Sequence, residues 1–117
     1  FINDMAAAYA LSDLVVCRSG ALTLSEITTC GKPSILIPFA AAAGNHQLKN
    51  AETLYKAGAS TLIEEKDLNS NKLYKNINYL INNKSILEKM SFAAKALSKP
   101  NATKKIAEHV IKMVSNV

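Results

Sequence analysis

Residues 14–26 read Leu-Val-Val-Cys-Arg-Ser-Gly-Ala-Leu-Thr-Leu-Ser-Glu, and they begin a pattern that the rest of the chain repeats. The four apolar or small residues at the start are typical of a strand buried on both faces of a parallel sheet. Ser19 and Gly20 then predict a sharp turn. From Ala21 the apolar spacing indicates a helix, and Gly31 predicts its end because glycine tolerates the left-handed conformation of a helix cap.

The order of strand followed by helix continues along the chain. Further strands are predicted at 34–37 and 61–63, and helices are predicted at 5–11, 21–30, 46–56, 71–81, 85–97 and 103–114. The apolar spacing of these helices includes Leu22, Tyr55 and Ile81, and Ile81 is expected to face the core. Strands that alternate with helices predict an α/β fold, a Rossmann-like parallel sheet with flanking helices. Three strands in this order match the second half of a doubly wound sheet.

The composition is that of one compact domain. The chain has 117 residues, of which 49% are apolar and 20% are charged, and this balance excludes a disordered or fibrous protein. The net charge of +5 suits an anionic ligand, but among the 14 basic residues only Arg18 offers a bidentate guanidinium. Aromatic residues make up only 6%, so surfaces on which bases stack are few. We therefore expect no nucleic-acid partner.

The two cysteines predict neither a metal nor a cofactor. Cys17 and Cys30 lie in apolar segments without the Cys-x-x-Cys spacing of a zinc or redox site, so we expect buried, reduced thiols. No Ser-His-Asp arrangement or pair of catalytic carboxylates emerges either. We therefore assign no catalytic residue, no metal and no cofactor to this chain.

No segment predicts a membrane span or a secretion signal. The longest apolar stretch, 34–43, contains Pro38 and is shorter than the ~20 residues that a spanning helix needs. The start at Phe1 has neither an initiator methionine nor the pattern of a signal peptide. We expect the chain to be part of a longer protein. The strand at 14–17 would then present an apolar sheet edge, through which two copies could associate as a homo-oligomer.

The turn at Ser19 and Gly20 is the first candidate for ligand binding. A strand that ends in a tight turn and opens a helix directs bare N–H groups and the positive end of the helix dipole at one place, which suits a phosphate. Glu26 lies one turn beyond Leu22 on the same helical face, where a carboxylate can accept hydrogen bonds from paired ribose hydroxyls. This pairing indicates a nucleotide. The structural alternative is that Ser19 only caps the helix, Gly20 only turns the chain, and Glu26 is a first-turn acid.

Polar residues at the start of the helix after the second strand are the second candidate. They follow the carboxyl end of a strand that neighbours the first motif, where open parallel sheets place ligands. Asn45 can cap the helix, and His46, Gln47 and Asn50 can hydrogen-bond sugar hydroxyls or phosphates. The structural alternative is a capped helix whose His46 and Gln47 side chains lie in water.

Several separate motifs together resemble the MurG family. The matching residues are Phe1 to Ala6, Arg18 to Glu26, Pro38-Phe39, Asn45 to Gln47 and Asn50-Ala51. That family adds the second sugar of the bacterial cell-wall precursor and has two Rossmann-like domains in the GT-B arrangement. The resemblance implies that residues 1–117 are the nucleotide-sugar (donor) binding portion of the C-terminal domain, and that the N-terminal acceptor domain is absent.

The resemblance also implies roles for individual residues. The backbone of Ile2 should meet the uracil edge, Glu26 should bind the ribose, and Gln47 with His46 should contact N-acetylglucosamine. The turn and the start of the helix at 21–30 should form the rest of the substrate-binding set, which comprises Ser19, Gly20, Ala21, Leu22, Thr23, Leu24 and Ser25.

The implied reaction is an inverting transfer of N-acetylglucosamine from UDP-N-acetylglucosamine to lipid I, which gives lipid II. Lipid I would bind through the missing N-terminal domain, so this chain alone is expected to bind the donor with little or no transfer. The family implies a peripheral protein at the cytoplasmic face of the bacterial inner membrane. Two alternatives stay open: a related GT-B nucleotide-sugar transferase with another acceptor, and a non-enzymatic α/β interaction module.

Overall fold

A computed structural model describes residues 13–40 and 46–98, and at their centre is a three-stranded parallel sheet. The strands are β1 (Val15–Cys17), β2 (Ser34–Leu36) and β3 (Ser60–Leu62), and they lie in the order β1-β2-β3. In the register, Val16 pairs with Ile35, which pairs with Thr61. This arrangement confirms the predicted Rossmann-like parallel sheet. The helices predicted at 5–11 and 103–114 lie outside the described residues.

Four helices accompany the sheet in this part of the chain. They are α1 (Ala21–Thr29), α2 (His46–Lys56), α3 (Ser70–Ile81) and α4 (Lys84–Ala96). Each predicted helix within the described ranges is confirmed to within one residue at either end, while β3 begins one residue earlier than expected. A short 3-10 helix at Glu65–Asp67, after β3, was not predicted.

Apolar side chains cover both faces of the sheet. Ile35 and Leu36 are adjacent in β2 and both are completely buried, because successive residues of a strand point to opposite faces. Leu36 belongs to a first cluster with side chains of α1, α2 and the end of α4, and Ile35 belongs to a second cluster with α3 and the beginning of α4. The continuous apolar runs in the sequence reflect this two-sided burial.

The prediction of two-sided burial is wrong for β1. Val16 is 40% exposed, and Val15 and Cys17 are only half-buried. β1 pairs with β2 alone among the described strands, so it lies at an edge of the described sheet. β1 has the apolar sequence of a central strand, but its side chains are less completely covered by neighbouring elements.

The apolar spacing of the helices also overestimates burial near their ends. Leu22 is 62% exposed, Tyr55 is 55% exposed, and Ile81 is 55% exposed although it was expected to face the core. Their neighbours Leu54 and Leu80 are buried, so Tyr55 and Ile81 lie on the outer faces of their helices. The buried face of α1 is formed instead by Leu24 and Ile27.

Gly31 ends α1 as predicted. Its φ of 64° is in the left-handed region that favours glycine. Its N–H donates to the carbonyl of Thr28 at 3.1 Å, and the N–H of Lys32 donates to the carbonyl of Ile27 at 2.9 Å. These two bonds form a Schellman cap, which satisfies carbonyls that the helix leaves unpaired.

Candidate functional site

The turn between β1 and α1 leaves the start of the helix without a cap from a side chain. Gly20 occupies the N-cap position in an extended conformation, and as a glycine it supplies no side-chain cap to the first turn. The first turn contains no acidic residue either. The leading N–H groups of a helix have no partners within it, and they carry the positive end of its dipole. This terminus is therefore electrostatically suited to an anion.

Ser19 does not cap the helix, so that structural alternative is wrong. The serine is completely buried, and its hydroxyl donates to the main-chain carbonyl of Gln47 at 2.7 Å. The Asn50 side-chain amide donates in turn to the Ser19 carbonyl at 3.2 Å. These two bonds fix the turn before α1 against the first turn of α2. The two motifs, 28 residues apart in the sequence, therefore lie side by side in the fold.

The side chain of Gln47 lies beside the turn. Its Oε1 accepts a hydrogen bond from the main-chain N–H of Phe39 at 2.8 Å. Its Nε2 would lie 4.0 Å from a Cβ atom added to Gly20. The alternative in which both polar side chains extend into water is thus wrong for Gln47, which is half-buried, but it describes the exposed position of His46.

Glu26 lies in the second turn of α1, so it is not the first-turn acid of the structural alternative. It is 9% exposed, whereas Leu22, one turn before it, is 62% exposed. The carboxylate therefore lies deeper along the same helix than the bare N–H groups, in the relation that the sequence predicted.

The remaining predicted residues differ in their exposure. Ala21 is exposed at the start of α1, while Thr23 and Ser25 are half-buried. Leu24 is 7% exposed and packs in the first cluster, so its side chain contributes to the core. Ile2 lies outside the described residues.

Three residues that the sequence did not place in a site meet next to Gln47. The guanidinium of Arg18 forms an ion pair with Glu65 and donates to the carbonyl of Ile37 at 3.3 Å. The same guanidinium lies over the ring of Phe39, 5.4 Å from its centroid. Phe39 and Glu65 also line a cavity of about 140 Å³. Arg18 is the only arginine in the sequence, and it directly follows a predicted strand. No sequence pattern, however, connects it to an acidic residue 47 positions away.

Comparison with known proteins identifies the domain. The family model described as "Glycosyltransferase family 28 C-terminal domain" matches residues 1–110. The chain belongs to this family. A crystal structure of MurG from Acinetobacter baumannii resembles it with a TM-score of 0.80 and 34% sequence identity, over 96% of this chain and 32% of that one. The prediction of a C-terminal GT-B domain fold is thereby confirmed.

Curated relatives of this family 28 domain carry one name, "UDP-N-acetylglucosamine--N-acetylmuramyl-(pentapeptide) pyrophosphoryl-undecaprenol N-acetylglucosamine transferase". The relative from Anaeromyxobacter sp. (strain K) is 52% identical over 97% of this chain and 30% of its own length. The relative from Thermoanaerobacter sp. (strain X514) is 50% identical over 91% of this chain and 29% of its own. The predicted resemblance to MurG is confirmed. The chain spans about 30% of the length of the curated relatives it matches.

The two thiols of the family 28 domain flank α1. Burial raises the pKa of Cys17, at the end of β1, to about 11. Burial also raises the pKa of Cys30, where nearby Lys32 acts in the opposite direction and Glu26 adds to the rise. Both cysteines are free, as predicted, but they are half-buried rather than buried. A raised thiol pKa makes both side chains weak nucleophiles near neutral pH.

Residues 13–40 and 46–98 hold neither a cluster of metal ligands nor a helix that could span a membrane. No three His, Cys, Asp or Glu side chains in these ranges come together as a set of metal ligands. None of the helices described there is both long and apolar enough to cross a membrane.

Proposed function

We propose that this chain is the donor-binding portion of a transferase that moves N-acetylglucosamine from UDP-N-acetylglucosamine to lipid I, giving lipid II. The names of the relatives, at up to 52% identity, support this donor and acceptor. Residues 1–117 would form part of the C-terminal GT-B domain, and lipid I would bind mainly to an N-terminal domain. The same kinship supports a peripheral location at the cytoplasmic face of the bacterial inner membrane.

The observation that carries the proposal is the uncapped start of α1 beside Gln47. A diphosphate can accept hydrogen bonds from the N–H groups of Ala21, Leu22 and Thr23 and interacts favourably with the helix dipole. No acidic side chain in the first turn competes for these groups. Gly20, immediately before them, allows the ligand to approach the main chain.

The other predicted residues extend the proposed site along the donor. Glu26 lies one turn deeper, where its carboxylate can accept from the two vicinal hydroxyls of a ribose. Gln47 lies on the opposite side of the turn, where its amide can reach the sugar, and exposed His46 precedes it. The backbone of Ile2 remains the proposed contact for uracil.

The chemistry assigned to this chain is binding and stabilisation of the leaving group. In an inverting transfer, the bond from the sugar C1 to the diphosphate breaks as the acceptor C4 oxygen attacks C1, and the electron pair passes to UDP. The N–H groups of α1 would stabilise the charge that develops on the diphosphate. The proton of the acceptor hydroxyl would pass to a base outside this chain, in which we place no catalytic residue.

The role of Glu26 provides the experiment that tests the proposal. Calorimetry should show that the chain binds UDP, and that Glu26→Gln raises the Kd about 10- to 100-fold, because charge-assisted hydrogen bonds contribute about 1.5–3 kcal/mol. The matched control is Glu88→Gln, at an exposed position of α4, which should leave the Kd unchanged.

A deoxynucleotide separates loss of the ribose contact from loss of folding. The wild-type chain should bind 2′-deoxy-UDP more weakly than UDP, whereas Glu26→Gln should show a smaller preference for UDP, because its amide oxygen still accepts a hydrogen bond but carries no charge. A Glu26→Gln variant that keeps the full wild-type preference for UDP would contradict the ribose role. A wild-type chain, or full-length protein, that binds no uridine nucleotide would contradict the proposed function.

A further inference from the structure

The amide of Gln47 has a fixed orientation, because a main-chain N–H can pair only with its oxygen. The N–H of Phe39 donates to Oε1 of Gln47 at 2.8 Å, so this oxygen faces away from the turn. The amide nitrogen is left on the side of Gly20. Gln47 thus presents a hydrogen-bond donor, and not an acceptor, to a ligand at the turn.

The orientation of Gln47 depends on where the backbone of Phe39 lies. The ring of Phe39 is 47% exposed, so core packing does little to hold it. Its contact with the guanidinium of Arg18, at 5.4 Å, supplies a cation–π interaction instead. The position of Arg18 therefore bears directly on the segment that orients Gln47.

Arg18 is itself held by a residue from a distant part of the chain. Its side chain is 51% exposed, and an exposed arginine loses much rotamer freedom when it is fixed in one place. The carboxylate of Glu65, in the 3-10 helix after β3, pairs with Nη1, which also donates to the Ile37 carbonyl. Glu65 thereby links the ends of all three strands to the start of α2.

We propose that Glu65 is a positioning residue of the donor site, acting through Arg18 and Phe39 to aim the Gln47 amide at the sugar. The inference rests on the proposed function, because it concerns the sugar-binding part of the same site. Glu65 does not touch the ligand itself. Its effect should therefore be confined to the contact that Gln47 makes, and should spare the diphosphate contacts at α1.

The test measures how substitutions of the neighbouring residues Glu65 and Glu64 change the Kd for two nucleotides. Glu65→Ala should raise the Kd for UDP-N-acetylglucosamine about three- to tenfold, the range expected when one hydrogen bond is weakened, and should leave the Kd for UDP unchanged. Glu65→Gln should fall between Ala and wild type, since its amide oxygen still accepts from Arg18. Glu64→Ala is the matched control and should change neither Kd.

Variants of Gln47 show whether Glu65 acts through this amide. Gln47→Glu keeps an oxygen for the Phe39 N–H but removes the donor, so it should lose as much affinity for the nucleotide sugar as Gln47→Leu. In the Gln47→Leu background, Glu65→Ala should have no further effect, because the group that it positions is gone.

The outcomes distinguish the two proposals. Equal losses for UDP and UDP-N-acetylglucosamine in Glu65→Ala, or additive losses in the double variant, would overturn the positioning role while leaving donor binding intact. A wild-type chain that binds neither nucleotide would overturn the proposed function, and the role of Glu65 with it.

Discussion

The two ends of α1 each carry a glycine, but only one of them is explained by the protein itself. At the end of the helix, Gly31 has a φ of 64°, and a Cβ atom there would lie 2.4 Å from Cε of Lys95. At the start, Gly20 has a φ of −65° and a ψ of 149°, which any residue adopts. Among the described residues, a Cβ atom on Gly20 would meet only Nε2 of Gln47, at the ordinary contact distance of 4.0 Å.

This difference separates a glycine that the described fold requires from one that it does not. Gly31 is required because its backbone is left-handed and because the stem of Lys95 covers it. The described residues do not require a glycine at position 20. Under the proposed function, a diphosphate that approaches the main chain at the start of α1 accounts for it.

The largest expected effect is on stability at the end of α1. Gly31→Ala should lower the free energy of unfolding by about 1–2 kcal/mol, because the left-handed conformation is costly for a residue with a Cβ atom. That loss corresponds to a fall in Tm of about 5–15 °C, measured by circular dichroism. UDP affinity of the folded protein should not change.

Gly58 is the control for this substitution. Its φ is also positive, at 83°, but no atom in the described part of the chain lies within 4 Å of an added Cβ atom. Gly58→Ala therefore isolates the backbone cost and should destabilise the protein less than Gly31→Ala. Equal stability of Gly31→Ala and the wild type would contradict a structural role for Gly31.

The opposite result is expected at the start of α1. Gly20→Ala should change stability by less than about 1 kcal/mol, since a weaker N-cap is offset by a less flexible unfolded chain. It should weaken UDP binding about tenfold, a change of about 1.4 kcal/mol, because the methyl group intrudes where the diphosphate meets the N–H groups. If calorimetry shows that Gly20→Ala binds UDP as tightly as the wild type, the proposed difference between the two glycines is wrong.

The smallest expected effect is on the pH dependence of stability, and it involves the thiol of Cys17, before the turn. Because burial raises the pKa of Cys17 to about 11 from an ordinary value of 9.0, the native state holds a proton that the unfolded chain releases. This contribution to stability is complete below about pH 9 and is lost as the pH rises to about 11. Denaturant unfolding should show this decline, and Cys17→Ala should reduce its slope. An unchanged slope would contradict the effect of burial at this strand end.

The sequence allowed most of the fold to be predicted, because its signals are local. Apolar runs predicted the strands, and Gly31 predicted a helix end that the structure confirms. Burial of individual side chains in β1 and at the end of α3 was harder to predict. The exposure of Val16 and Ile81 depends on which elements lie next to them. Periodicity describes one element at a time and contains no information about its neighbours.

The site could be predicted only in part for the same reason. The turn at Gly20 and the polar start of α2 were each visible as a motif, and their separate positions at strand ends indicated that they would meet. The bonds from Ser19 and Phe39 to Gln47 were not visible, because they involve main-chain groups that every residue carries. The pairing of Arg18 with Glu65 joins two surface charges, which no spacing rule relates.

The position of α4 has a consequence for how the layers of the domain hold together. Its first half packs in the second cluster through Met90, and its last half packs in the first cluster through Ala94. Ser91, between them, donates a hydrogen bond to the carbonyl of Gly31. If α4 detached, it would uncover apolar surface above and below the strands at once. The two layers are therefore expected to melt as one cooperative unit, so that the start of α1, the proposed anion site, depends on a helix that contacts the opposite end of α1.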